Sequence, residues 1–160
     1  HKGYAPLVPG FKYVPFNDVE ALRKAVDPKT CAVLIEPIQG EGGVNCPSND
    51  YLKAVRRICD DAGILLMFDE VQVGMGRTGR LFAYEHFGVA PDIMTLAKAL
   101  ANGLPMGAML AREAVGAAFG QGAHASTFGG TPLVSAAARE VCRIMESEKI
   151  PKRCRDVPPM

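Results

Sequence analysis

An α/β fold with a mostly parallel sheet and helices on both faces is what this sequence predicts, and three observations predict it. Short continuous apolar runs alternate with stretches whose apolar residues recur at helical spacing. The runs lack the in-out alternation of a half-solvated strand, as strands buried on both faces do. Each of the main runs is followed closely by a charged residue or a glycine-rich stretch, where open α/β sheets bind their ligands.

Residues 12–16 read as a short strand. Asn17 or Asp18 caps the helix that follows, in which Val19, Leu22 and Val26 share a face. Ala32, Val33, Leu34 and Ile35 form an apolar run that ends at Glu36 and Pro37. A second helix starts at Pro47 and Ser48; its Leu52, Val55, Ile58, Cys59 and Ala62 recur at helical spacing, and Gly63 supplies the stop. Residues 64–68 make the next strand, ending at Asp69 and Glu70, and residues 93–96 and 106–110 give two more. A long helix over about residues 132–149 presents Leu133, Ala137, Val141 and Ile144 on one face. Strands alternating with helices imply parallel pairing. There is no internal repeat, low-complexity tract or linker.

The totals exclude several classes. At 160 residues, with 48% hydrophobic and 22% charged residues, the chain has globular composition. A net charge of +1 gives no reason to expect nucleic acid or an anionic membrane as partner. No apolar run approaches the roughly 20 residues of a spanning helix. The five cysteines are scattered without a C-x-x-C pair and the three histidines lie far apart. Neither a zinc site nor any other metal site is expected, and a reducing compartment fits: the cytoplasm, or the mitochondrial matrix in a eukaryote. The opening His1-Lys2-Gly3-Tyr4 carries no initiator Met and no signal pattern, so the chain reads as a fragment or processed product.

Four local patterns bear chemistry, each with a competing reading. Asp69 at a strand end resembles a magnesium-binding aspartate, but no G-x-x-x-x-G-K-[ST] loop is present, and a plain polar strand end competes. Residues 74–79 are a literal G-x-G-x-x-G, yet five residues separate them from their strand and at most two helical turns follow. Asp92, behind Pro91, is badly placed as the acidic partner of a dinucleotide site. Lys98 follows an apolar run among apolar neighbours, so it either snorkels outward or is held near a site, where burial would make its amine nucleophilic. The hydroxyls and backbone amides of residues 124–130, just before the long helix, suit an anion site or a surface loop. Arg112 and Glu113 read as a solvated strand end.

Taken in order, the patterns are specific. The runs Glu36-Pro37-Ile38-Gln39-Gly40-Glu41-Gly42-Gly43, Phe68-Asp69-Glu70-Val71-Gln72, Gly76-Arg77-Thr78-Gly79, Pro91-Asp92-Ile93, Leu96-Ala97-Lys98 and Ser126-Thr127-Phe128-Gly129-Gly130 resemble the signatures of class-III aminotransferases. The resemblance covers about residues 4–150 and is nearest the acetylornithine/ornithine branch, with 4-aminobutyrate-type and other omega-amino-acid branches as alternatives.

The resemblance implies a fold-type I pyridoxal phosphate (PLP) enzyme and a homodimer with active sites at the subunit interface. Residues 1–150 would be the central part of the PLP-binding large domain. It implies amino-group transfer from an acetylornithine- or ornithine-like donor to 2-oxoglutarate, in arginine biosynthesis. Lys98 matches the lysine that joins the cofactor covalently and then moves the proton. Asp69 matches the aspartate paired with the pyridine nitrogen. Glu70, Val71 and Gln72 are expected among the cofactor-binding residues, Val71 on the ring face and Gln72 on the phenolic oxygen. Thr127 matches a hydroxyl reaching the phosphate of the neighbouring subunit's cofactor; Ser126 would lie beside the substrate. Glu41 matches a glutamate that shields or releases a substrate-binding arginine.

Two departures accompany the resemblance. The family's phosphate-cradling loop, stacking aromatic and one arginine would precede His1, and a second arginine would follow Ile150, so the isolated chain is expected to be inactive. Residues 151–160, with Pro151 breaking the helix and two more prolines near the end, read as a frameshifted or artificial tail. Thr131 stands where Asn is commoner in the family. A non-catalytic fragment and a nucleotide-binding domain are the competing classes.

Overall fold

The structure is a computed structural model that describes residues 3–157. No strand forms over residues 12–16; the chain there is irregular. Asn17 instead takes a left-handed φ of 66° and its side chain accepts hydrogen bonds from the Ser48 N–H and hydroxyl, each at 3.0 Å. Asp18 is the cap: its carboxylate accepts the Ala21 N–H at 2.8 Å and starts α1 (Val19–Ala25). Glu20 in the first turn and Arg23 and Lys24 in the last complement the helix dipole.

The sheet follows in chain order. β1 (Ala32–Ile35), β2 (Leu65–Asp69) and β3 (Ile93–Leu96) run parallel, as expected, and β4 (Ala108–Ala111) closes the edge antiparallel to β3. Between β1 and β2 lies α2 (Tyr51–Ala62), starting three residues later than Ser48 and ended by Gly63 at a left-handed φ of 64°. Register puts Ile35 beside Phe68 and Phe68 beside Met94, so these side chains share one face of the sheet. Leu22 of α1, and Leu52, Val55 and Cys59 of α2, pack there on Leu66 and Phe68. Each large side chain so enclosed contributes about 2 kcal/mol of burial. α3 (Glu113–Gly116) is a single turn after β4, and α4 (Pro132–Ser147) sets Ala138 against Met94 and Leu96. Within the described residues the helices cluster over this face; on the other, Leu34 and Met109 stand 58% and 48% exposed.

The segment after α4 differs from its sequence reading. Lys149 takes a left-handed φ of 54° and the chain turns into α5 (Ile150–Arg155). Pro151 lies in the first turn of that helix, where its missing N–H costs nothing. α4 and α5 both pack on the G-x-G-x-x-G turn: a Cβ on Gly76 would fall 2.9 Å from Met145 Cε of α4, and one on Gly79 would fall 2.9 Å from Arg155 Cβ of α5. Both glycines also have left-handed φ, 82° and 86°. These glycines therefore serve a tight turn under a helix; no long helix opens after them, only a 3-10 turn over Ala83–His86.

Asp92 ties the opposite, amino end of the sheet. Its Oδ2 accepts the Leu66 N–H at 2.8 Å and pairs with Arg56 of α2 at 2.7 Å. Arg112, exposed just after β4, meets Oδ1 at 3.2 Å and donates to the carbonyls of Ala90 and Pro91, so this solvated strand end also serves as a clamp. Burial by itself would raise the Asp92 pKa, but the Leu66 N–H and Arg56 outweigh it and hold the carboxyl below its ordinary range. A depressed carboxyl stabilises the fold above about pH 4, and the contribution drains away as pH falls through the depressed value. Asp92→Ala should therefore cost about 3 kcal/mol of unfolding free energy at about pH 7, by urea unfolding, and less at about pH 3. An equal loss at both pH values would refute the assignment.

Candidate active site

The three parallel strands deliver their last residues to one edge. With Ile35 beside Phe68 and Asp69 beside Thr95, the residues leaving β1, β2 and β3 are Glu36, Asp69 and the Ala97–Lys98 step. Lys98 has a φ of 49°, left-handed backbone in a residue other than glycine, which costs roughly 1–2 kcal/mol. It opens a 3-10 turn (Lys98–Ala101) whose Leu100 and Ala101 are buried beside Met94, Leu96 and Ala138. Packing of those two residues holds the strained lysine at the strand end.

Glu36, Glu41, Asp69, Val71, Gln72 and Lys98 line one open cleft of about 120 Å³. Lys98 Nζ donates to Gln72 Oε1. Asp69 is oriented by its own turn: the Val71 N–H reaches Oδ1 at 2.9 Å and the Thr95 hydroxyl reaches the same oxygen at 3.3 Å. Since both bonds fall on Oδ1, the second oxygen is available to a cation in the cleft. Glu36 accepts the Gly40 N–H at 3.1 Å. An amine, an amide oxygen and three carboxylates thus converge, without an arginine among the lining residues. That set suits a cationic nitrogen heterocycle and a carbonyl able to condense with the lysine. A larger apolar hollow of about 590 Å³ lies elsewhere, against Met75, Phe82, Leu96, Cys142, Met145 and Pro151, and Glu146 is the charged residue on its lining.

The residues singled out from sequence divide. Lys98, Asp69, Val71, Gln72 and Glu41 come together in the cleft. Glu70 does not: it is 1% exposed, and its two oxygens accept the N–H groups of Ala83 and Tyr84 at 2.7 and 2.8 Å. It caps the 3-10 turn after the glycine-rich segment, so its expected place among cofactor-binding residues is corrected to a structural one. Burial pushes its pKa up, against the pull of those two donors. Ser126 and Thr127 lie on an exposed loop outside the cleft, where the Ser126 hydroxyl accepts the Gly129 N–H at 2.9 Å. Glu36, which opens the stretch that follows the first apolar run, received no role from the sequence, yet it lines the cleft beside Asp69.

The comparisons agree with one another. The family described as "Aminotransferase class-III" matches residues 1–159. Acetylornithine aminotransferase of Methanocaldococcus jannaschii is 58% identical over 144 residues, which are 90% of this chain and 36% of that protein. The Gloeobacter violaceus acetylornithine aminotransferase is 57% identical over 97% of this chain and 38% of its own length. The chain thus spans a little over a third of these relatives. Among solved structures, ornithine aminotransferase of Toxoplasma gondii, described with partial occupancy of PLP at its active site, superposes with a TM-score of 0.90 at 44% identity. That match covers 95% of this chain and 36% of the other. The acetylornithine aminotransferase of Elizabethkingia anophelis gives 0.85 at 40% identity over 91% and 37%. With the strand-end lysine, the aspartate and the glutamine gathered in one cleft, the chain belongs to the class-III aminotransferases, a family of PLP enzymes.

Proposed function

We propose that the full-length protein carrying this segment is a PLP-dependent acetylornithine/ornithine-type aminotransferase with 2-oxoglutarate as amino acceptor, serving arginine biosynthesis. The convergence of Lys98, Asp69 and Gln72 in a single cleft carries the reading. The donor set fits the cofactor: an amine for its aldehyde, a carboxylate for its pyridine nitrogen and an amide for its phenolic oxygen. Bound there, PLP supplies the aldehyde and an electron-poor ring that accepts the electron pair of the breaking C–H bond. Lys98 would hold the cofactor through its amine and, when that amine is free, would carry the proton at the reacting carbon of the substrate. Asp69, oriented by Val71 and Thr95, keeps the proton on the pyridine nitrogen. Gln72 would bind the phenolic oxygen, Val71 would pack on the ring, and Glu41 would meet the substrate end of the cleft. Thr127 reaches the phosphate held by a neighbouring subunit of a homodimer, with Ser126 beside the substrate.

Residues 1–150 form part of the PLP-binding large domain in this reading, and residues 151–160 are an atypical tail to it. The donor preference rests on the acetylornithine relatives, which are 54–60% identical. The experiment is turnover of N-acetylornithine, ornithine and 4-aminobutyrate with 2-oxoglutarate and saturating PLP. The full-length protein should favour N-acetylornithine in kcat/KM; a preference for 4-aminobutyrate would move it to the other branch. The isolated 160-residue chain should turn over far below the usual enzyme range of about 1 per second or more, because no arginine lines its cleft to orient a substrate carboxylate.

A further inference from the structure

We propose that Gly40 and Glu36 are positioning residues that act on Lys98 through Gln72. The proposal rests on the reading of Lys98 as the lysine that bonds the cofactor. Residues 39–45 form a closed loop: the Gln39 N–H donates to the Asn45 carbonyl at 3.1 Å and the Asn45 N–H to the Gln39 carbonyl at 2.9 Å. The Asn45 amide also donates to Gln39 Oε1 and the Gly42 carbonyl, both at 3.1 Å. Within the loop the Gly40 N–H is pinned to Glu36 Oε2. Val44 is held there at a φ of 57°, a conformation a β-branched residue adopts only where its surroundings impose it.

What this loop touches is the stem of Gln72. A Cβ added to Gly40 would overlap Gln72 Cγ and would lie 3.0 Å from Gln72 Cβ and 3.4 Å from Cδ. Gly40 is not among the residues with left-handed φ, so its missing side chain concerns space and not backbone freedom. Gln72 is itself exposed, so burial does not select its rotamer. The bare Cα of Gly40 forms one wall along the stem, and the amide at the far end meets Lys98 Nζ. Glu36 holds the wall through the Gly40 N–H, and the wall holds Gln72 on the lysine. Any side chain at position 40 displaces the Gln72 stem, and with it the amide that meets Lys98.

The test is a double-mutant cycle in the full-length protein: wild type, Gly40→Ala, Gln72→Ala and the double variant. The readouts are the dissociation constant for PLP, by titration of cofactor-free protein, and the position of the visible band of bound PLP. Gly40→Ala should weaken PLP about tenfold and move the band in the direction Gln72→Ala moves it. In the Gln72→Ala background, where no Cγ remains to be displaced, Gly40→Ala should change the constant by less than about twofold. Glu36→Ala should resemble a weaker Gly40→Ala. Equal weakening in both backgrounds, or an unchanged constant and band in Gly40→Ala, overturns the proposal. Should Gly40→Ala fail to fold, recovery of folded protein by the added Gln72→Ala supports the contact, and failure of both overturns it. Borohydride reduction of the wild type separates the two levels. Label away from Lys98 overturns the underlying reading, whereas label on Lys98 with additive effects overturns this proposal alone.

Discussion

Lys98→Ala in the full-length protein is expected to lower kcat by about 10⁴-fold or more, because in the function proposed above it removes the nucleophile and the proton carrier in one change. Two observations make Lys98 the residue to change. It is a lysine whose Nζ meets the glutamine of the cleft, and it occupies a left-handed backbone conformation at the end of a buried strand. Lys53 on α2 makes an exposed contact to Asp50 at 3.7 Å, and Lys149 is an exposed residue at the turn into α5. Borohydride reduction followed by peptide mapping should place the pyridoxyl group on Lys98 in the wild type and leave the Lys98→Ala variant unlabelled at that position. Label on Lys53 or Lys149, or a kcat within about tenfold of wild type, would remove Lys98 from the centre of the reaction.

The strands and the cleft were legible in the sequence for a shared reason. A strand buried in a parallel sheet is an uninterrupted apolar run, so its end is visible as the first charge, and those ends line the cleft. Asp69 and Lys98 could be read in this way, and the rule also points to residues 36–43 after β1, where Glu36 itself received no role. Glu70 was misplaced because a linear motif carries no facing: consecutive residues at a strand end point to opposite sides, so Asp69 enters the cleft and Glu70 enters the core. The segment at residues 12–16 failed for another reason. It reads as a short strand, but the structure forms none there, and Asn17 commits the chain to a turn tied to Ser48. The clamp of Asp92 with Arg56 and Arg112 joins residues far apart in the chain, a separation that local pattern does not register. Likewise, the glycines of residues 74–79 fit a nucleotide motif in one dimension and a packed helix in three.

Asp69→Asn should leave PLP bound and slow the proton transfer by about a hundredfold or more, the scale seen when one preorganised electrostatic contact is removed. The substitution is nearly isosteric, and its remaining oxygen can still accept the Val71 N–H and the Thr95 hydroxyl that orient the present carboxylate. Only the charge changes. In the function proposed above, the pyridine nitrogen would lose the partner that keeps its proton, and the ring would take up the substrate's electron pair less readily. The neighbouring residue is the control. Glu70 makes its bonds inside the core, so Glu70→Gln should lower stability while leaving the proton-transfer rate of the folded fraction within about threefold. Single-turnover rates with a substrate deuterated at the reacting carbon would measure that step directly. A near-normal rate for Asp69→Asn, or equal rate losses in the two variants, would show that the charge at the end of β2 does not govern the reaction.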